Sequence, residues 1–159
     1  MGDLAVDLQL SALDQISDMI HRVVGWDRFE LMDTIGRLAQ LQTRRRIQTE
    51  KTAPDGTEWP ANARGTSTLY QTGRLHDSID YQVGLGEVTV GSPLIYAAIH
   101  HFGGVIKPKN GKALAFMAGG DQVFAKSVTI PARPYIGISS DNAEEIESVV
   151  EDFVRGLLQ

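Results

Sequence analysis

The apolar positions of this chain change period along its length, and the changes divide it into three parts. Leu10, Leu13, Ile16, Ile20 and Val23 recur at spacings of three and four, which lines one face of a helix. Gly25 is a stop, and Asp27 with Glu30 forms a capping pair for a second helix over about residues 28–51. Leu31, Ile35, Leu38 and Ile47 build its apolar side, and Arg44, Arg45 and Arg46 stand at its far end, where positive charge suits the helix dipole. Residues 52–67 keep no period. Pro54-Asp55-Gly56 reads as a turn, because proline presets φ and glycine accepts positive φ, and Trp59 reads as the anchor of this loop to the core.

From Ile79 the period becomes two. Ile79, Tyr81 and Val83, then Leu85, Val88 and Val90, flank Gly84 and Gly86 and predict two short strands with a tight turn. Residues 93–102, opened by Pro93 and closed by Gly103-Gly104, predict a short buried helix. Residues 105–130 predict a long hairpin. Val105-Ile106 opens it, residues 113–117 form one arm, and Val123-Phe124 with residues 128–130 form the return. Lys107 to Lys112 and Gly119-Gly120-Asp121 are its exposed turns. The last element is a helix with Ile146, Val149, Val150, Phe153, Val154, Leu157 and Leu158 at spacings of three and four, capped by Asp141 and Glu144. These elements predict one α+β domain over residues 1–159: a helical part over 1–52, a loop and β-rich body over 53–138 carrying the hairpin, and a C-terminal helix over 139–159 packed on a mainly antiparallel sheet.

Composition narrows the chemistry. With 42% hydrophobic and 22% charged residues the chain can bury a core. It has no cysteine, which removes disulfides, Cys-ligated zinc, iron–sulfur clusters and thiol catalysis. No stretch approaches the roughly 18 apolar residues that span a bilayer, so a soluble chain with no membrane partner is expected. The net charge of −5 is unevenly spread. Residues 1–33 hold seven acids against two arginines, and residues 141–159 hold six against Arg155. The bases collect in residues 37–51 and in the hairpin region, at Lys107, Lys109, Lys112, Lys126 and Arg133. Opposite charges on different elements suit a subunit that packs against copies of itself, although solvated helix faces produce the same pattern.

Reactive constellations are sparse. The chain has no G-x-x-x-x-G-K-[ST] loop, no G-x-S-x-G elbow and no H-E-x-x-H pair. His100 and His101 are the best metal candidates, but neighbours on a helix point about 100° apart and rarely share an ion. His76, Asp77, Ser78 and Asp80 are close along the chain, which does not supply the geometry of a triad; a local turn capped by Asp77 or Ser78 is the simpler reading. The lysines of the hairpin invite a rival function as a small nucleic-acid-binding module, together with the arginine run, but no aromatic residues interleave with them.

Four stretches occur in an order and spacing that resembles a known family. They are Asp55 to Pro60 (DGTEWP), Leu69 to Ile79 (LYQTGRLHDSI), Val90 to Gly104 (VGSPLIYAAIHHFGG) and Ile130 to Ser139 (IPARPYIGIS). Over about residues 28–158 the chain resembles the phage virion morphogenesis family, the Mu-like tail completion proteins. The resemblance implies a structural protein with no catalytic residues, cofactor or metal. It implies a ring, commonly a hexamer, at the head–tail junction of the virion, assembled in the host cytoplasm. The expected partners are further copies, the tail tube and head-side neck or connector proteins, with passing contact with DNA in the channel.

Within those motifs, Gly73 suits a sharp turn needing positive φ, and Pro131 and Pro134 stiffen the approach to the last helix. Tyr96 and Phe102 are expected to pack the short helix under the sheet, and Gly103 to end it. Arg74 and Arg133 are fork-shaped donors suited to a subunit boundary, though an intramolecular strut is an equal reading for Arg133. Arg44, Arg45, Arg46, Lys107, Lys109 and Lys112 complete the expected interface set.

Overall fold

The computed structural model describes residues 4–8 at the level of the backbone and residues 27–62, 65–118 and 120–157 in full. The helix expected through Leu10, Leu13, Ile16, Ile20 and Val23, with its stop at Gly25, lies outside the described residues. The chain's first described element is a strand, β1 (Leu4–Leu8), where a wholly helical N-terminal part was expected. Its Leu-Ala-Val-Asp-Leu has the period-two alternation of a strand. β1 runs antiparallel to β3 (Val88–Ser92), whose other edge takes β2 (Asp80–Val83), giving a three-stranded sheet in the order β1-β3-β2. The β2–β3 turn closes through the Gly84 N–H donating to Glu87 O at 2.9 Å. Val88, Val90 and Ser92 alternate inward from the central strand and are buried.

Helix α1 (Arg28–Arg45) lies across this sheet and continues as a π-helical turn, Arg46–Glu50. The expected cap is present: the Phe29 N–H donates to Asp27 Oδ1 at 2.8 Å. Leu31, Met32, Ile35, Ala39 and Ile47 are all buried, the three-and-four spacing that faces a core. Gly36 sits where the helix crosses Tyr81. A Cβ there would come within 2.2 Å of the tyrosine ring, so only hydrogen fits.

The Pro54 turn forms as expected, with the Gly56 N–H donating to Ala53 O at 2.9 Å and Gly56 at φ +85. Trp59 anchors the loop: it is 8% exposed and its indole N–H donates to Pro134 O at 3.0 Å. A single helical turn, α2 (Arg74–Asp77), follows Gly73 at φ +76. The middle helix α3 (Ala97–Phe102) is shorter than its predicted span, since residues 93–96 form a turn ahead of it. Its buried face is Ala97 and His101, four apart. Phe102, one residue on, is rotated by about 100° and is 65% exposed, while Tyr96 is 36% exposed, so neither packs under the sheet as expected.

The last helix, α4 (Ser140–Leu157), packs against α1 with Ile146 and Val150 buried. Its cap differs from the expected Asp141 and Glu144. Ser139 and Asn142 bond reciprocally, the Asn142 N–H to Ser139 Oγ at 3.2 Å and the Ser139 N–H to Asn142 Oδ1 at 3.3 Å. This is a capping box with asparagine in place of the usual glutamate.

Candidate functional site

The long hairpin of residues 104–130 forms as two stacked ladders. β4 (Gly104–Ile106) pairs with β7 (Val128–Ile130), and beyond them β5 (Leu114–Ala118) pairs with β6 (Asp121–Ala125), each pair antiparallel and separate from the main sheet. Register puts the ladders end to end, from Ile106 opposite Val128 to Leu114 opposite Ala125. Residues 107–113 bulge out on one side of this waist, and residues 126–127 bridge the other. Lys107, Lys109, Lys112 and Lys126 therefore gather at the waist. The far turn, between Ala118 and Asp121, carries no lysine, so the tip of the hairpin is not the basic end.

Side chains on both faces of this far ladder are mostly apolar, Gln122 and Asp121 beside the turn being the exceptions. Leu114 and Ala125, then Phe116 and Val123, share one face, while Ala115 and Phe124 share the other. Phe124 is 67% exposed, and Val105 on the ladder next to the root is 55% exposed. An isolated two-stranded ribbon is marginal in water without something packed on it.

The hairpin's root, in contrast, is tightly built, and the family-like motifs build it. The chain enters at Gly103, whose φ is +73 and whose added Cβ would lie 2.7 Å from Ala132 N. Glycine is required there by both conformation and space. The chain leaves through Pro131-Ala132-Arg133-Pro134, which is stitched to its surroundings on two sides. Arg133 is 5% exposed; its Nε donates to Pro60 O at 2.8 Å, its Nη2 to Ala61 O at 3.0 Å, and its backbone N–H to His100 O at 2.9 Å. Of the two roles open for Arg133, the structure gives it the strut.

His101 completes the root. Its Nδ1 accepts from the Tyr135 N–H at 3.3 Å, its ring stands edge-on to Tyr135, and the Tyr135 hydroxyl donates to Ala97 O at 2.9 Å. Burial lowers the pKa of His101, which keeps the ring neutral and able to accept. His100 is lowered too, by burial first and by the nearby Arg133 charge second. Both imidazoles serve packing, and among the described residues no group of three or more His, Asp or Glu is placed to hold a metal ion.

Between this root and the loop before α2 lies an open cleft of about 620 Å³, lined by Leu69, Gly73, Tyr96, His100, Phe116 and Pro131 among others. Arg74 lines it too and is exposed, with no partner inside the chain among the described residues. The neighbouring His76, Asp77 and Ser78 do not assemble a nucleophile with its base. His76 Nδ1 lies 2.7 Å from Asp77 Oδ1, whereas Ser78 Oγ donates to Leu75 O at 2.7 Å and lies 2.8 Å from Ser92 Oγ. Ser78 closes the local turn.

The arginine run is largely taken up within the chain, because each step along α1 turns the side chain by about 100° and sends the three in different directions. Arg44 Nη2 donates to Ile79 O at 2.9 Å. Arg45 bridges Glu50 and Glu145 at 2.8 Å each. Arg46 is 1% exposed and donates to Gly137 O at 2.8 Å, Tyr135 O at 3.2 Å and Asn142 Oδ1. Arg46 therefore belongs to the core and leaves the expected interface set, with Arg133. No pattern in the sequence announces Asn142, a buried polar residue that joins the α4 cap to Arg46. Nor does the alternation of the hairpin, which looks like core, announce how exposed Phe124 would be.

Among the described residues no helix is long and apolar enough to cross a membrane. No curated protein and no solved structure matches the chain. A family model does match: that of the phage virion morphogenesis family, over residues 8–155, which reaches well before Arg28, where the resemblance seen in the motifs began. With nearly the whole chain covered, from the β1 edge of the sheet to the last turns of α4, this protein belongs to the phage virion morphogenesis family and has a structural role in assembling the phage particle.

Proposed function

We propose that the chain is the subunit of a ring, hexameric in its finished form, that completes the tail at the head–tail junction and provides the surface to which the head joins. The observation that carries this reading is the hairpin: a ribbon with exposed apolar side chains at Val105, Met117, Val123 and Phe124, mounted on a root fixed by Gly103, Arg133 and His101. A rigid arm of that kind, repeated head to tail, closes into a ring when its rotation divides a full turn. Its neighbours in the virion would be the tail tube below and head-side connector proteins above, with DNA passing through the channel.

Arg74 and the waist lysines Lys107, Lys109 and Lys112 remain in the proposed contact set, since all four are exposed and none has an intrachain partner among the described residues. Gly73 stands directly before Arg74, and Pro131 and Pro134 stand where the hairpin rejoins the body. Light scattering on the purified chain, alone and with tail tubes, followed by negative-stain imaging, tests the reading. It predicts rings of uniform subunit number. Monomers under every condition, tubes included, contradict it.

A further inference from the structure

Resting on the ring reading, we infer that the lysine waist of the hairpin docks on an acidic stripe of α4 in a second copy of the chain. Residues 104–130 carry four lysines and one aspartate, a net +3, which leaves −8 on the rest of a chain whose total is −5. That negative charge is not evenly placed. On α4, Glu144, Glu147 and Glu151 are all exposed. At about 100° and 1.5 Å per residue they fall within a sector of about 60° and span about 10 Å along the axis. This makes a narrow stripe of three carboxylates on the solvent side of the helix.

Among the described residues the stripe is unused. Glu145, on the adjacent line of the same helix, is held by Gln42 and Arg45, and Asp152 is held by Arg155. The side chains of Glu144, Glu147 and Glu151 have no hydrogen bond or ion pair to any described residue, and the same is true of the side chains of Lys107, Lys109, Lys112 and Lys126. Two sets of complementary charge, each without a side-chain partner among the described residues, are what a head-to-tail contact between copies requires. Both sets lie on one chain, so every copy offers a donor arm and an acceptor helix. The exposed Phe124 and Val105 on the same hairpin supply apolar contact beside the charges.

The cleft of about 620 Å³ at the hairpin root is the other place an arm could enter. Arg74 and Arg133 both line it, and their positive charge repels the lysines. The acidic stripe is the matching surface.

The test uses the absence of cysteine from the chain. K109C and E147C are purified separately, mixed in equal amounts and oxidised gently. At about 0.05 M salt the mixed disulfide dimer should form about tenfold faster than either homodimer, and raising salt to about 0.5 M should remove most of that excess. Mixed and homodimers forming at equal rates would overturn the inference. A second arm reverses charge. K107E/K109E/K112E and E144K/E147K/E151K should each fail to assemble, and mixing the two variants should recover assembly. Rings that survive either reversal overturn this interface and leave the ring itself standing. A selective disulfide in a protein that never forms rings supports the interface and overturns the ring. A lysine reversal that abolishes binding of duplex DNA while assembly is unchanged assigns the lysines to nucleic acid and overturns the inference.

Discussion

Arg46→Ala is the substitution whose cost the structure defines best. The guanidinium is 1% exposed and joins three parts of the fold: the end of α1, the 135–137 segment after the hairpin, and the capping box of α4. Truncation strands two backbone acceptors, Tyr135 O and Gly137 O, and leaves Asn142 Oδ1 with the Ser139 N–H alone. Each buried acceptor left unpaired costs about 1–3 kcal/mol. Part of this is returned, because burial already lowers the pKa of Arg46 and removing the charge relieves that desolvation. The net loss should be about 3–4 kcal/mol, within the range for breaking one side of a buried charged network. With a urea m-value of about 2 kcal/mol/M, the unfolding midpoint should fall by about 1.5–2 M. Arg46→Lys should fall between, because a single ammonium cannot reach three acceptors arranged around a planar fork. Urea titration followed by circular dichroism measures both. A midpoint shift below about 0.3 M for Arg46→Ala would show that the three bonds do not hold the fold together.

Gly36→Ala places a Cβ 2.2 Å from the Tyr81 ring, whose hydroxyl is held at 2.8 Å by Asp33, and should cost about 1–3 kcal/mol by overpacking; Tyr81→Ala in the same chain should remove most of that penalty. Ser139→Ala should cost about 1 kcal/mol through loss of the α4 cap, read as a drop of a few degrees in Tm, whereas Asp141→Ala and Glu144→Ala should change it little. His101 is lowered in the fold, so the unfolded chain binds the extra proton first: stability should be flat above about pH 6.5 and should fall as pH drops below it, and His101→Gln should flatten that part of the profile in denaturation at several pH values. Phe102→Ser should leave stability nearly unchanged despite the loss of a large apolar side chain, because that ring is mostly in solvent.

Periodicity carried most of the described fold. The three-and-four stripes of α1 and α4, the paired strands around Gly84 and the hairpin of residues 105–130 could all be read, because burial of one face imposes a period that survives in the sequence. Caps and rims were harder. Asp141 with Glu144 and Ser139 with Asn142 both satisfy the pattern of a cap, and only the buried contact from Arg46 to Asn142 selects the second. Phe102 and Ala97 both look like the core of a short helix, and a single residue of rotation decides which faces inward. The arginine run read as one cluster because neighbours in sequence look alike on paper, while the helix sends them to Ile79, Glu145 and the core. The hairpin's exposed Phe124 was hidden for a related reason: alternation predicts a strand but does not say whether anything in the chain packs on its second face, and there Phe124 is left 67% exposed.

The central claim, that this chain joins the parts of a phage particle, is tested most directly by electron microscopy of particles made when its gene is disrupted and then complemented. The account predicts filled heads and separate tails in the disrupted lysate, and joined particles once the intact chain is supplied. Joined, infectious particles in the absence of the chain would contradict it.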